Sequence, residues 1–161
     1  MKTQRIFPGV ILIGFGLYFF LEQSQVDIFP GFYTWPTLLC IVGIAFLAQA
    51  YAGKDNESIL PGVILFGFGL HFHMIERFKA WPDHIGIFIL IIALGFILKA
   101  RKTNSGMFHG LLLLVVSILT LFYDKVFTWL GTLESSFSNA LKFWPFVLIA
   151  AGGYMLFFKK K

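Results

Sequence analysis

The sequence predicts an all-α integral membrane protein in which six transmembrane helices form three tandem hairpin repeats. Three observations lead to this fold class: an apolar composition, six uncharged runs, and an internal repeat. Of the 161 residues, 58% are hydrophobic and 13% are charged. A soluble domain carries about a quarter charged residues, and lipid can cover the apolar surface that such a chain cannot bury. We therefore expect residues 1–161 to form a single membrane domain.

The uncharged runs define the spans. They cover residues 6–21, 28–53, 58–75, 84–98, 103–123 and 143–158. Several are short for a hydrocarbon core of about 30 Å, but flanking Trp, Tyr, Lys and Arg side chains can reach the headgroups. Re-entrant hairpins are the alternative, and they would expose unpaired backbone groups to lipid. Six complete spans are therefore predicted.

A longer connection, residues 124–142, separates the fifth and sixth spans. Its apolar residues recur at intervals of three and four: Val126, Leu130, Leu133, Phe137 and Leu141. This spacing is typical of an amphipathic helix. We predict a short interfacial helix here, with a simple linker as the alternative.

An internal repeat organises the chain. Residues 6–17 recur as residues 59–70 with ten of twelve positions identical, and a weaker third copy begins at Phe108. A Trp-Pro pair follows each copy, at Trp35-Pro36, Trp81-Pro82 and Trp144-Pro145. The predicted repeat hairpins are residues 5–53, 58–100 and 106–158.

The Trp-Pro pairs are predicted to anchor helix starts at the membrane interface. Proline at the first turn has no N–H to leave unpaired, and an indole ring suits the boundary between lipid and water. In a chain of three hairpins, all three pairs lie on the same side of the membrane.

The basic residues predict the orientation. One face carries nine of them: Lys2, Arg5, Lys54, Lys99, Arg101, Lys102, Lys159, Lys160 and Lys161. The other face carries four: Arg77, Lys79, Lys125 and Lys142. The positive-inside rule places the first face, with both termini, in the cytoplasm. The net charge of +5 comes from basic residues between the apolar runs and at the tail. We therefore interpret these residues as determinants of topology and as contacts with anionic lipids, and we expect no nucleic-acid partner.

Gly14, Gly16, Gly67 and Gly69 recur within the repeat. A nucleotide-binding loop is not favoured, since no strand precedes these residues and a third glycine is missing. Small residues in membrane helices allow close approach of a neighbour. We predict that the first and third helices make equivalent close contacts through these glycines. The alternative is a kink or a thin point opened for transport.

His71, His73 and Glu76 lie near the outer end of the third span. Residues two apart occupy nearly opposite helix faces, so the two histidines are poor joint metal ligands. The cluster is a candidate pH-sensitive site, and interfacial contacts with headgroups or water are the alternative. We find no catalytic triad, no carboxylate pair within a span and no Cys-His cluster, and Cys40 is the single cysteine. No enzyme, metal or cofactor is therefore expected.

The proline-glycine and Trp-Pro openings of paired spans resemble the transmembrane region of the LiaI/LiaF-like family of small bacterial membrane proteins. The resemblance covers residues 5–53 and 58–100 well and 106–158 less well, because His109 replaces the proline. Some family members act in envelope stress responses, and those that repress signalling carry a soluble C-terminal domain. This sequence stops at Lys159-Lys160-Lys161. The resemblance therefore implies a membrane anchor or accessory subunit more readily than a sensor.

The predicted function is a non-enzymatic scaffold or accessory protein of the bacterial cytoplasmic membrane. Its expected partners are the lipid bilayer and a membrane or peripheral protein. Its basic cytoplasmic face, formed by Lys99, Arg101, Lys102 and Lys159 to Lys161, is the expected contact. The alternative is a small transporter or channel subunit for neutral solutes or lipids. The lack of charged residues deep within any span disfavours a path for ions.

Overall fold

The computed structural model describes residues 5–123 together with residues 146, 148 and 149. The predicted interfacial helix and most of the predicted sixth span lie outside the described residues. The chain divides into two compact units, Met1–Leu121 and Phe122–Lys161. In the second unit, Phe146, Leu148 and Ile149 are helical and exposed. All contacts discussed below lie in the first unit.

The described part of the chain is all-helical. It contains α1 (Ile6–Gln23), α2 (Trp35–Ala52), a 3-10 turn (Asn56–Ser58), α3 (Ile59–Arg77), α4 (Ile85–Thr103) and α5 (Met107–Leu121). Three segments are long and apolar enough to cross a membrane: Ile6–Gln23, Trp35–Ala52 and Asn56–Arg77. In α4 the last turns carry Lys99, Arg101 and Lys102, and α5 is a shorter apolar helix of 15 residues.

The second helix begins at Trp35-Pro36, as the Trp-Pro pattern predicted, and therefore later than the uncharged run does. The uncharged run starts at residue 28, but α2 starts at Trp35 with Pro36 in its first turn. Pro30 and Gly31 hold the preceding segment in a turn, and Gly31 has a φ of 82°, which favours glycine. The Thr34 hydroxyl donates to the Gly31 carbonyl at 2.6 Å and secures this turn.

Trp81-Pro82 does not open a helix, contrary to the prediction. α4 begins three residues after Pro82, at Ile85, and His84 is its N-cap. The Nδ1 atom of His84 accepts a hydrogen bond from the backbone N–H of Gly86 at 3.1 Å. A side chain that satisfies a free N–H of the first turn stabilises that boundary, so the cap rather than the proline sets the start of α4.

Small residues form the interior and large apolar residues face outward. The buried glycines and alanines of the described residues are Gly43, Ala45, Ala50, Gly53, Gly62, Gly69, Gly86, Ala93, Gly95, Ala100 and Gly110. On α1, by contrast, Leu12, Ile13 and Phe20 are exposed and Tyr18 is the one buried residue. Helices in lipid pack through small residues because large ones lose nothing by facing the tails. This distribution is that of a membrane protein.

Extensive packing within the first unit joins helices that follow one another in sequence: α1 with α2, α2 with α3, α3 with α4 and α4 with α5. The predicted glycine contacts are distributed over these pairs. Gly14 meets Ile41 of α2, and Gly67 meets Ile91 of α4, so the first and third helices contact different neighbours through equivalent positions. Gly69 instead meets Cys40 of α2. Gly16 departs from the prediction, because no described residue lies within 4 Å of where its Cβ would be.

Candidate functional site

Two buried histidines lie at the outer end of α3 as the sequence orients it. His71 is 2% exposed and His73 is 6% exposed. The first turn of α2, the loop before α2 and the loop between α3 and α4 surround them. The histidines therefore contact protein groups, and the headgroup contacts offered as the alternative do not describe them.

His73 hydrogen-bonds across the α2–α3 interface. Its Nε2 atom lies 2.9 Å from the hydroxyl oxygen of Thr37, which is 6% exposed. The Thr37 hydroxyl in turn donates to the Phe32 carbonyl oxygen at 2.5 Å. Because that single hydroxyl proton is directed to Phe32, Thr37 accepts from His73, and the proton of the His73 ring is on Nε2. This chain of two bonds ties α3 to the loop that precedes α2.

His71 lies on the other side of α3 and hydrogen-bonds to the loop before α4. The indole N–H of Trp81 lies 2.9 Å from Nδ1 of His71. An indole N–H is only a donor, so Nδ1 of His71 is the acceptor and the proton of the neutral ring is on Nε2. That Nε2 atom is buried and has no hydrogen-bond partner among the described residues. An unpaired buried donor costs about 1–3 kcal/mol.

Aromatic rings enclose both imidazoles. Phe88 of α4 lies edge-on to His71 with ring centroids 4.7 Å apart, and Phe29 lies edge-on to His73 at 5.4 Å. The guanidinium carbon of Arg77 lies 4.5 Å above the Phe29 ring. Such a cation–π contact contributes about 0.5–1 kcal/mol at an exposed position. Arg77 thus covers the cluster without a hydrogen bond to either histidine in the described part of the chain.

Glu76, the third residue of the predicted cluster, lies at its exposed rim. A Cβ added to Gly31 would be 3.1 Å from its Oε2 atom, so Glu76 approaches the loop before α2. No hydrogen bond joins Glu76 to His73 among the described residues. The structure therefore brings His71 and His73 to one buried end of the helices and leaves Glu76 at the surface.

The chemistry of this cluster is that of hydrogen bonding between helices and loops. Within residues 5–123, no group of three or more His, Cys, Asp and Glu side chains could hold a metal ion. Thr37, Trp81, Phe29 and Phe32 were not predicted as members of the cluster. Trp81 was predicted only as an interface anchor, and it is 40% exposed. Trp35 is 54% exposed and packs on Phe72 with centroids 4.5 Å apart.

The basic end of α4 forms a second candidate site. Lys99 makes an ion pair with Glu57, with Nζ and Oε2 2.5 Å apart, and its side chain is 24% exposed. Arg101 and Lys102 are exposed, and the Lys102 ammonium lies 5.7 Å from the Tyr51 ring centroid. Asn104 ends the helix in the left-handed conformation, a common C-cap. Lys159, Lys160, Lys161 and the Trp144-Pro145 pair lie outside the described residues.

Comparisons with known proteins bear on both sites. A family model for the LiaF transmembrane domain matches residues 7–106, which include the histidine cluster and the basic end of α4. Across 165 aligned positions the chain is 28% identical to the uncharacterized membrane protein YsxD of Bacillus subtilis strain 168, covering 100% of this chain and 98% of that relative. No solved structure matches the chain significantly. The family match extends over more than half of the chain and confirms the resemblance found in the sequence: the protein belongs to the LiaF transmembrane domain family.

Proposed function

We propose that this protein is a non-enzymatic scaffold or accessory subunit of the bacterial cytoplasmic membrane, which recruits an acidic partner to the basic end of α4. In this proposal the chain crosses the membrane six times with both termini in the cytoplasm. The association of LiaF with the regulation of envelope stress responses makes such a response the process in which the protein would act.

The observation that carries the proposal is the difference between the three basic residues at the end of α4. Lys99 is partly buried and paired with Glu57, so it fastens α4 to the loop that precedes α3. Arg101 and Lys102 are exposed beyond that ion pair. The structure therefore separates one basic residue that positions the helix end from two that are presented at its surface.

These two charges suit a partner that carries acidic groups close to the membrane. Each basic residue at an anionic surface contributes about 1 kcal/mol of attraction. Arg101 can also bind a carboxylate through two parallel hydrogen bonds, which an ammonium group cannot do. Phosphate groups of anionic lipids would hold the helix end at the headgroup level, where a peripheral acidic protein could meet it.

Charge reversal at these two positions tests the proposal. We expect the Arg101→Glu and Lys102→Glu double variant to insert into the membrane normally but to recover about tenfold less of the crosslinked partner. The matched control is Lys79→Glu, which reverses the charge of an exposed basic residue just after the last turn of α3. This variant should recover as much partner as the parent. Equal recovery from the double variant and the parent would contradict the proposal.

The transporter alternative predicts a different result. The unpaired Nε2 atom of His71 is the one feature that favours it, because a polar group in a span can contact a solute. Purified protein would then carry a neutral solute into proteoliposomes, and changes at Gly67, His71 or His73 would alter the flux. Flux that is unaffected by the Arg101 and Lys102 reversals would replace the scaffold proposal with this one.

A further inference from the structure

Two kinds of helix contact alternate along the first unit. Within a hairpin, Gly14 of α1 meets α2 and Gly67 of α3 meets α4. Between consecutive hairpins, α2 packs on α3 and α4 packs on α5, and these two interfaces are the more extensive ones. The inter-hairpin contact is therefore a recurring element of this fold.

The two inter-hairpin interfaces use the same repeat positions. On α3, a Cβ at Gly62 would lie 2.9 Å from Leu47 Cγ and one at Gly69 would lie 2.5 Å from Cys40 Sγ. On α5, Gly110 occupies the position of Gly62 and meets Ile97.

Ser117 on α5 occupies the position of Gly69. It is fully buried and donates to the Gly86 carbonyl of α4 at 3.0 Å. Along each interface, a higher residue number on one helix meets a lower number on the other. The partners of α3 and α5 therefore run antiparallel to them.

α1 carries the same face, and no described residue packs against it. Gly9 and Gly16 occupy the repeat positions of Gly62 and Gly69, which are identical in residue type. Yet no described residue lies within 4 Å of a Cβ at either glycine. Leu12 and Ile13, between them, are 73% and 65% exposed. We call the surface formed by Gly9, Leu12, Ile13 and Gly16 the open face of α1.

The helices that cover the equivalent faces of α3 and α5 share a sequence pattern. Two small residues are separated by one residue, and an aromatic residue follows the second. The pattern is Gly43-Ile44-Ala45-Phe46 in α2 and Ala93-Leu94-Gly95-Phe96 in α4. It also occurs as Ala48-Gln49-Ala50-Tyr51, five residues further along α2, and as Ala151-Gly152-Gly153-Tyr154 in the sixth apolar run. α2 and α4 already use this surface on α3 and α5, so the sixth run is the segment left with the matching pattern.

We propose that the open face of α1 binds the sixth apolar run, residues 143–158, of a second copy, so that the protein self-associates head to tail in the membrane. α1 is the first helix of the series and residues 143–158 follow its last described helix in sequence, whereas the inter-hairpin surfaces of α2, α3, α4 and α5 are already paired with one another. A second α1 cannot be the occupant, because two copies with the same membrane orientation present α1 in parallel, whereas the recurring interface is antiparallel. An even-numbered span of a second copy has the required direction. The contact is heterologous, since two different surfaces of the chain meet.

Disulfide crosslinking between two copies tests this contact. Leu148 precedes the small-residue pattern by the same three positions as Cys40, and it is 38% exposed. Since Gly69 meets Cys40, Gly16 of one copy should meet Leu148 of another. Differently tagged full-length copies, one carrying Gly16→Cys and the other Leu148→Cys, both with Cys40→Ala, should form an intermolecular disulfide in oxidised membranes.

Leu17→Cys is the matched control for the first copy. It is 56% exposed and adjacent to Gly16, but one residue is about 100° of rotation along a helix. We expect about tenfold less disulfide from this control. A single copy carrying both Gly16→Cys and Leu148→Cys that forms only an internal disulfide would overturn the proposal. Disulfides between two Gly16→Cys copies would also overturn it, because they require a parallel pair.

A second variant keeps the proposal testable without cysteines. Gly16→Leu meets open space, so the full-length protein should melt like the parent at high dilution in detergent while its self-association weakens about tenfold. Gly69→Leu is the comparison, because it enters an occupied interface and should lower the melting temperature. Unchanged self-association of the Gly16→Leu protein would contradict the inference.

Discussion

Trp81 donates its indole N–H to Nδ1 of His71 at 2.9 Å, and this bond joins the loop before α4 to the buried outer turns of α3. It is a link between two residues ten positions apart, both at the end of the helices where the sequence predicted an interface anchor. The bond determines which ring nitrogen of His71 carries the proton, and it leaves Nε2 as the unpaired one among the described residues.

Replacing Trp81 with Phe tests the contribution of this bond. The variant keeps an aromatic ring but leaves Nδ1 of a buried imidazole without a donor, so we expect the free energy of unfolding in detergent to fall by about 1–2 kcal/mol. Trp35→Phe is the matched control, because Trp35 packs on Phe72 and a phenyl ring retains that contact. Equal stability of the two variants would show that the indole N–H does not contribute.

Thr37 provides a second test at the same end of the helices. Thr37→Val keeps the shape of the side chain but removes the hydroxyl that accepts from His73 and donates to Phe32. The buried His73 ring and the partly buried Phe32 carbonyl then lose their partner, and we expect a loss of about 2–3 kcal/mol in the free energy of unfolding. Thr37→Ser restores the hydroxyl and should recover most of this loss. Thermal melting of both variants in one detergent makes the comparison.

Gly69 and Gly16 hold equivalent positions of the repeat but have different surroundings, and substitutions at both positions test this difference. A Cβ at Gly69 would lie 2.5 Å from the Cys40 sulfur and 2.6 Å from the Pro36 carbonyl oxygen. We expect Gly69→Ala to destabilise the protein by about 1–3 kcal/mol through overpacking. Gly16→Ala meets no described residue and should be neutral or stabilising by up to about 1 kcal/mol, because alanine is the better helix former. Similar melting temperatures for the two variants would contradict the assigned packing.

The contrast between these glycines shows what a local sequence pattern can predict. The repeat indicates correctly that residues 6–17 and 59–70 form helices with small residues available for packing, because that follows from composition and spacing. It cannot indicate that, among the described helices, α3 packs extensively on two neighbours while α1 packs extensively on α2 alone. That difference depends on how many helices precede each copy.

The histidine cluster was predicted in part for a similar reason. His71 and His73 are visible in the sequence as polar residues in an apolar run, and their spacing predicted that they lie on nearly opposite helix faces. In the structure His71 bonds to Trp81 and His73 to Thr37. Thr37, by contrast, is an ordinary residue in the first turn of α2. Its bond to His73 joins positions 36 residues apart, and only the packing of α2 on α3 brings them together. The uncharged run includes the turn at Pro30 and Gly31, because hydropathy alone cannot separate an apolar loop from the helix that follows. The Trp35-Pro36 pair, by contrast, marked the helix start correctly.

The proposed topology makes a prediction at the two ends of α4. With Cys40 replaced by Ala, a cysteine at Ser105 should be protected from an impermeant thiol reagent in intact cells, and a cysteine at Lys79 should be modified. Both residues are exposed and lie in connections just outside helices, so access to the thiol depends on the side of the membrane. Ser105 is preferred to Asn104, whose φ of 52° disfavours most side chains. Permeabilised cells should label both positions, and labelling of Ser105→Cys in intact cells would reverse the proposed orientation. That result would also place Arg101 and Lys102 outside the cytoplasm, so the acidic partner would then have to be sought on the outer side.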